Sequence, residues 1–339
     1  MASENRAAFV PSAGAELEVR TSDIHQPESG ELLVRVHAVA IQPLDAKKLL
    51  SGYGGAGTAT YPAVFGTSGA GVVEQVGSDV VGFQAGDHVV FDTKAYVDND
   101  VNVRQGTWQQ LTICSSKTAA KIGDVDFEQA VLVDFPLQTA VAALHHFLGM
   151  GKPGTASPSE KVLVWGAGGA VGSYAVQYAK SVGHTVVVTA SARDTARQQS
   201  LGASEVIDYK SPDAVERLRA LGPFKYLITG SGDAASQQAL ASLLQPSGGR
   251  FASVLGGDVE LPANVERVYT GFSQAAQSEE HAAWRDWWYG EYLPKVLSEK
   301  LVEPVKFTKV EGGLAALQGA SRDVFEGKVR GKLVVNPQE

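Results

Sequence analysis

One cysteine, Cys114, stands among the 339 residues, so no intramolecular disulfide can form and a reducing compartment is expected. The same scarcity excludes a cysteine-rich zinc site. No run of about twenty apolar residues is present to span a bilayer. The N-terminal MASENRAAFV has no apolar core of a secretory signal, and the C-terminal NPQE matches neither a retention nor a peroxisomal signal. A cytoplasmic location is the resulting expectation. An excess of positive charge is missing as well. Lys and Arg number 29 against 37 Asp and Glu, a net charge of −8, which argues against nucleic acid or an anionic membrane as the main partner. A local basic patch around a phosphate remains compatible with that balance. There is no internal repeat and no low-complexity tract. What is present is a hydrophobic content of 44%, ordinary for a chain that builds a packed core, and length enough for two domains or one large one.

The most informative stretch is KVLVWGAGGAVGSYAVQYAKSVGHTVVVTASAR, residues 161–193. Lys161–Trp165 is a short apolar run, as a buried parallel strand requires. Gly166, Gly168, Gly169 and Gly172 follow, and then Val171, Ala175, Tyr178 and Ala179 fall on one face of a helix that Gly183 ends. Thr185–Ala190 is a second, β-branched strand. Strand, glycine turn, helix and strand in this order form the βαβ unit that binds dinucleotides. Glycines let the backbone approach a pyrophosphate without a Cβ in the way, and the first N–H groups of the helix, at Ala170 and Val171, face the anion. The spacing departs from G-x-G-x-x-G, because Val171 occupies the third glycine's place. It fits Gly166-x-x-Gly169-x-x-Gly172.

The end of the second strand selects the nucleotide. An NAD site usually carries Asp or Glu there, accepting from the ribose 2′-hydroxyl. Here the residues are Thr189, Ala190, Ser191, Ala192 and Arg193, with no carboxylate among them. Ser191 donates to a 2′-phosphate and Arg193 pairs with it, so NADPH is expected over NADH. The competing view of Arg193 is a solvated surface residue.

The flanking segments differ in character. Residues 1–125 are β-rich, with strands expected at Leu32–Ala40, Gly66–Val76 and His88–Phe91 and turns between them, which suggests a barrel-like β domain. The glycine-rich SGYGGAGTATYP, residues 51–62, reads as a mobile loop. Phe127 to Phe147 is apolar at helical spacing and is expected to break at Pro136. Beyond the central unit, Glu205–Ile207, Tyr226–Thr229 and Arg250–Leu255 are expected strands, alternating with helices at Asp213–Leu221 and Ala234–Leu244. That alternation implies a parallel sheet covered on both faces. A helix over 281–299 carries Trp284, Trp287, Trp288 and Tyr292, whose spacing marks core rather than a ligand box. A helix at Leu314–Glu326 and a strand at Lys332–Val335 close the chain.

Six stretches carry a family likeness: QPLDAKKLLSGYG (42–54), FGTSGAGVVEQVGSDVVGFQAGDHV (65–89), FPLQTAVAAL (135–144), VLVWGAGGAVGSYAVQYAK (162–180), LGASEVIDY (201–209) and GKVRGKLVV (327–335). Through them the chain resembles the medium-chain dehydrogenase/reductase superfamily over nearly its whole length. The resemblance implies an α/β protein with a GroES-like β domain plus a Rossmann domain holding a doubly wound parallel sheet. The corresponding boundaries are 1–126 and 277–339 for the first and 127–276 for the second. Zinc-dependent members resemble G-H-E-G-x-G at residues 66–71, with a cysteine near 42–47. This chain has Gly66-Thr67-Ser68-Gly69 there, no cysteine before Cys114 and no four-cysteine lobe, so it resembles the zinc-independent branch. That branch includes quinone oxidoreductases, enoyl and alkenal reductases, and the stand-alone fungal enoyl reductases that serve polyketide synthases. The fungal group is the most similar, through VLVWG, TASAR and the late aromatic helix.

The resemblance implies site roles too. Thr139 matches a threonine beside the nicotinamide, with Pro136 and Leu137 shaping that wall; its alternative is a helix-capping threonine. Lys47 matches a cofactor ribose or phosphate contact and a secondary proton source. Tyr53 aligns with the tyrosine that protonates the substrate in enoyl reductases; a phenol of pKa ~10 keeps its proton at neutral pH. Tyr209 resembles the tyrosine near the adenosine phosphate. Gly230, Val254 and Leu255 end later Rossmann strands, where ligands sit in open α/β sheets. The expected partners are a small-molecule substrate and an acyl-carrier or polyketide synthase protein, on a monomer or homodimer. Three readings stand together: reduction of an α,β-unsaturated carbonyl or enoyl thioester, reduction of a quinone, and a non-catalytic NADPH-binding sensor or scaffold.

Overall fold

The computed structural model describes residues 4–53 and 60–339. Two compact units emerge, Met1–Phe135 with Ala276–Glu339, and Pro136–Ala275. The division falls within the helix Phe127–Val141 rather than ahead of it.

The first unit is built on antiparallel strands. Glu31–Ala40 runs at its centre, paired with Ser68–Val76, with Leu111–Ser115 and, at its end, with Lys332–Val335. His88–Asp92 and Ala119–Lys121 extend the sheet on one side, and Phe307–Val310 on the other. Leu32, Val34 and Val36 enter the main core while Leu33 packs with Leu111 and Ile113 on the opposite face. Burial on both faces is why LLVRV is an almost unbroken apolar run. Two register shifts, at Leu33/Val34 and Val36/Ala38, interrupt the pairing with Ser68–Val76 and bend the strand. Gly71 lies where a Cβ would stand 1.9 Å from the Arg35 carbonyl oxygen, so the close strand pairing admits glycine alone. A second sheet pairs Asn5–Val10 with Glu18–Ser22 and Ala63–Val64.

The second unit holds a six-stranded sheet of parallel strands. Across the sheet the strands run Glu205–Asp208, Thr185–Ala190, Lys161–Trp165, Tyr226–Thr229, Gly249–Ser253 and Val265–Val268. Numbered along the unit this is 3-2-1-4-5-6, the doubly wound order, whose direction reverses beside Lys161–Trp165. Leu163, Val187, Ile207, Leu218, Leu227, Leu240 and Phe251 form one buried cluster. On the helix Ala170–Val182, Tyr174, Val176, Tyr178, Ala179 and Val182 are fully buried. Each large side chain so placed contributes about 1.5–3 kcal/mol.

Two local expectations change. The helix Phe127–Val141 continues through Pro136 and widens into a π turn at Ala142–Phe147. An interior proline costs about 3 kcal/mol, but Val131, Leu132, Leu137, Ala140 and Val141 are all buried around it and outweigh that. The segment expected as one helix over 281–299 is α-helical at Ala282–Trp287 and Leu293–Ser298, with a π turn at Trp288–Tyr292 between. Its aromatics are core: Trp284 stacks on Trp288 and Trp287 on Tyr292. Half of the loop expected at 51–62, residues 54–59, lies outside the described residues. Among the described residues no helix is long and apolar enough to cross a membrane.

Candidate cofactor cradle and acid–base cluster

In the Pro136–Ala275 unit, the strand Lys161–Trp165 ends at Gly166, whose φ of +79° lets the chain turn at once. Thr189 on the neighbouring strand fixes that turn. Its Oγ1 accepts the Gly166 N–H at 3.0 Å, and its carbonyl accepts the Ala167 N–H at 2.9 Å. The glycines divide by what a Cβ would meet. At Gly172 it would lie 2.4 Å from the Gly166 oxygen, so this glycine lets the helix sit on the turn. At Gly230 it would come within 3.1 Å of the Gly172 nitrogen. Gly168 and Gly169 are exposed, with nothing nearer than 3.5 Å to a Cβ at either. No packing demand explains them. They leave bare backbone at the start of Ala170–Val182, where Ala170, Val171 and Gly172 carry first-turn N–H groups that lack intrahelical acceptors. This arrangement fits a pyrophosphate.

The other expected cofactor residues sit at carboxyl ends of the strands. Ser191 and Arg193 follow Thr185–Ala190, Tyr209 follows Glu205–Asp208 and is 46% exposed, and Val254 and Leu255 follow Gly249–Ser253 and are half-buried. Thr139 is half-buried inside its helix rather than at its start, so it caps nothing. Sequence reasoning missed Gln237. Its side-chain amide donates to the Gly232 and Gly256 carbonyls at 2.7 and 2.9 Å and its oxygen accepts from Arg267, tying two strand-end loops together. It missed Asp194 also. The stretch 189–193 contains no carboxylate, but the next residue turns its carboxylate back onto Ser191, whose hydroxyl donates to Oδ2 at 2.7 Å. The signal was one position beyond the window.

In the other unit, the helix Pro43–Ser51 positions Lys47 and Tyr53. Pro43 suits the first turn, and the Asp45 carboxylate accepts the Gln42 N–H at 2.7 Å, closing the start. Gly52, at φ +67°, ends the helix and turns the chain back, so that the Lys47 Nζ lies 5.4 Å from the centre of the Tyr53 ring. Both side chains are half-buried, and burial lowers the Lys47 pKa.

The same unit holds a cluster that motif reading did not assign. Asp45 is buried and accepts from the Tyr96 hydroxyl at 2.6 Å, while that hydroxyl accepts the Gly66 N–H at 2.8 Å. Lys332 donates to the Gln42 side-chain oxygen, and the Lys48 ammonium stands 4.8 Å from the centre of the Tyr96 ring. Burial pushes the Asp45 pKa up to about 6 and the Lys332 pKa down to about 8. A second buried pair lies in the same unit. Trp288 Nε1 donates to Asp134 Oδ1 at 3.1 Å and the Tyr289 hydroxyl to Asp92 Oδ2 at 3.2 Å. Burial raises Asp134 to about 7, and burial with the neighbouring Asp134 charge raises Asp92 well above the carboxylate range.

At the positions where zinc ligands occur in zinc-dependent relatives stand Thr67, which donates to the Thr93 carbonyl at 2.8 Å, and Ser68. Among the described residues no three His, Cys, Asp or Glu side chains are grouped to hold a metal ion. This donor set does not fit a zinc centre.

Residues 28–124 match the alcohol dehydrogenase GroES-like domain, and residues 170–275 match the zinc-binding dehydrogenase family. The trans-enoyl reductase tazE of Aspergillus terreus is 32% identical over 264 residues, which cover 75% of this chain and 86% of that protein. The chain belongs to the medium-chain dehydrogenase/reductase family. Another member, the dehydrogenase azaJ of Aspergillus niger, is 28% identical over 348 residues, with 98% of each chain covered. The solved quinone oxidoreductase of Pseudomonas syringae pv. tomato shares the fold, with a TM-score of 0.77 at 22% identity over 98% of this chain and 100% of that one. This medium-chain dehydrogenase/reductase is an oxidoreductase. Its GroES-like domain and Rossmann-type parallel sheet are those the resemblance implied.

Proposed function

We propose that the chain is an NADPH-dependent, zinc-independent reductase of an activated carbon–carbon double bond, in an α,β-unsaturated carbonyl or an enoyl thioester. One observation carries the reading. Gly168 and Gly169 offer exposed backbone, unexplained by packing, at the head of a helix in a 3-2-1-4-5-6 sheet. The trans-enoyl reductase among the relatives supports the substrate class.

NADPH, when bound, supplies the hydride that the β-carbon accepts. The chain binds and orients the dinucleotide through the N–H groups of Ala170, Val171 and Gly172, with Ser191 and Arg193 as donors to the 2′-phosphate. Thr139, Tyr209, Gly230, Val254 and Leu255 are the further contacts in this reading. The negative charge that develops on the substrate is met by a proton. Tyr53 gives it from its hydroxyl to the α-carbon and is reprotonated from solvent. Lys47, beside the Tyr53 ring, places a positive charge that favours this transfer.

The test follows NADPH oxidation with a 2-enoyl thioester, an enal and a quinone in separate assays. Turnover of the thioester or the enal is expected. Turnover of the quinone alone transfers the reading to quinone reduction. Tight NADPH binding without turnover makes the protein a cofactor-binding sensor, and no binding removes the proposal.

A further inference from the structure

The expected 2′-phosphate donors are already engaged. After Ala190 the chain makes a short 3₁₀ turn, Ala192–Asp194, in which the Asp194 N–H donates to the Ser191 carbonyl at 2.9 Å. The turn brings the Asp194 carboxylate over the residues that precede it. Its Oδ2 accepts the Ser191 hydroxyl at 2.7 Å and lies 3.9 Å from the Arg193 Nε. The same oxygen faces the glycine turn, since a Cβ on Gly168 would stand 3.5 Å from it. One anionic oxygen therefore touches the hydroxyl donor, neighbours the guanidinium and borders the exposed backbone.

We infer that Asp194 is the nucleotide-selecting residue of this chain, its carboxylate standing in for the 2′-phosphate until a dinucleotide arrives. The inference rests on the dinucleotide reading above. The chemistry differs between the two cofactors. An NADH ribose presents a 2′-hydroxyl, which donates to the carboxylate where it stands. An NADPH ribose presents a phosphate carrying nearly two negative charges, which must displace the carboxylate from Ser191 and Arg193 and tolerate it nearby. Ser191 and Arg193 thus favour NADPH, Asp194 opposes them, and the native chain accepts both nucleotides with a modest preference. Replacing the carboxylate by its neutral isostere removes the opposition without removing the donors.

The experiment titrates the native protein, Asp194→Asn and Asp194→Ser by calorimetry with adenosine 2′,5′-bisphosphate and with adenosine 5′-monophosphate, and repeats both with NADPH and NADH. Asp194→Asn is expected to tighten the 2′-phosphorylated ligands about tenfold relative to their unphosphorylated counterparts, the scale of one charged contact. Asp194→Ser shifts the ratio in the same direction. A ratio unchanged in both variants, while the native protein binds the nucleotides, overturns the role of Asp194 and leaves the dinucleotide site standing. No binding of any of the four ligands to any of the three proteins overturns the dinucleotide site and this inference with it. Circular dichroism of each variant separates a folding defect from an altered preference; Asp194 is partly exposed and outside the helix cores, so the native fold is expected in both.

Discussion

The glycine turn allows binding and folding to be separated by one methyl group placed at two positions. Gly172→Ala puts a Cβ 2.4 Å from the Gly166 oxygen and 2.7 Å from the Ala167 Cα, both backbone atoms that cannot rotate away. Helix propensity favours alanine there by about 1 kcal/mol, but forced overpacking of this kind costs about 1–3 kcal/mol, so a net loss of stability is expected. Gly168→Ala meets nothing closer than the Asp194 Oδ2 at 3.5 Å, an ordinary contact, and its φ is not in the left-handed region. Its stability should stay within about 0.5 kcal/mol of native. If a pyrophosphate lies against Gly168, the same methyl group occupies the ligand's place. Applying the overpacking range of about 1–3 kcal/mol to the complex alone predicts affinity reduced roughly five- to 150-fold. Thermal unfolding and equilibrium titration with NADPH, run on both variants, give the two readings. Native affinity in Gly168→Ala refutes the placement of the dinucleotide. Native stability in Gly172→Ala refutes the packing argument for the helix on its turn.

Tyr53→Phe should lower kcat by about 10²-fold or more, the low end for a general acid, with NADPH affinity unchanged; unchanged kcat moves the proton source to Lys47 or solvent. Arg193→Ala should weaken NADPH about tenfold more than NADH, measured by titration, and equal effects remove Arg193 from the phosphate site. Asp134 offers a pH test. Its folded pKa of about 7 lies above the ordinary 3.8, so the fold holds its proton more tightly than the unfolded chain does. That contribution to stability is full below about pH 4 and is lost as pH rises through about 7. Asp134→Asn keeps an oxygen acceptor for the Trp288 indole and matches the protonated acid in shape, so it should stabilise the protein at pH 8 and flatten the decline between pH 4 and 7 in urea unfolding. A variant with the native pH profile shows that Asp134 is not the titrating group.

The elements that sequence reading located best are those where one physical demand acts alone. Tyr226–Thr229 and Lys332–Val335 have the bounds their apolar runs define, and the doubly wound unit is visible because strand, glycine and helix signals alternate without conflict. Reading fails where tertiary burial outbids a local rule. Pro136 is a break signal that the buried residues around it override, and the π turn after Trp287 has no local marker. The strand Val265–Val268 has no apolar run to mark it, because at the sheet edge Glu266 and Arg267 interrupt its pattern.

The candidate site divides along the same line. Gly166 and Gly172 are legible as glycines, yet the sequence does not say that packing requires them while Gly168 and Gly169 are left for something else; only the distances to neighbouring backbone make that distinction. The Asp45 cluster is less legible still. Its members come from four separated segments, Gln42 and Asp45, Gly66, Tyr96, and Lys332, and no spacing links them. Such a network is visible only through the mutual satisfaction of buried donors and acceptors, which depends on the fold already being formed. Asp194 stands between these cases. It is adjacent in sequence to the residues that select the nucleotide, and its effect depends on a three-residue turn pointing a carboxylate backward instead of outward. A rule that counts carboxylates at the strand end therefore assigns this chain to NADPH, whereas geometry gives it a competing anion at the very place the rule inspects, and the two accounts differ in the measurable ratio of one pair of nucleotides.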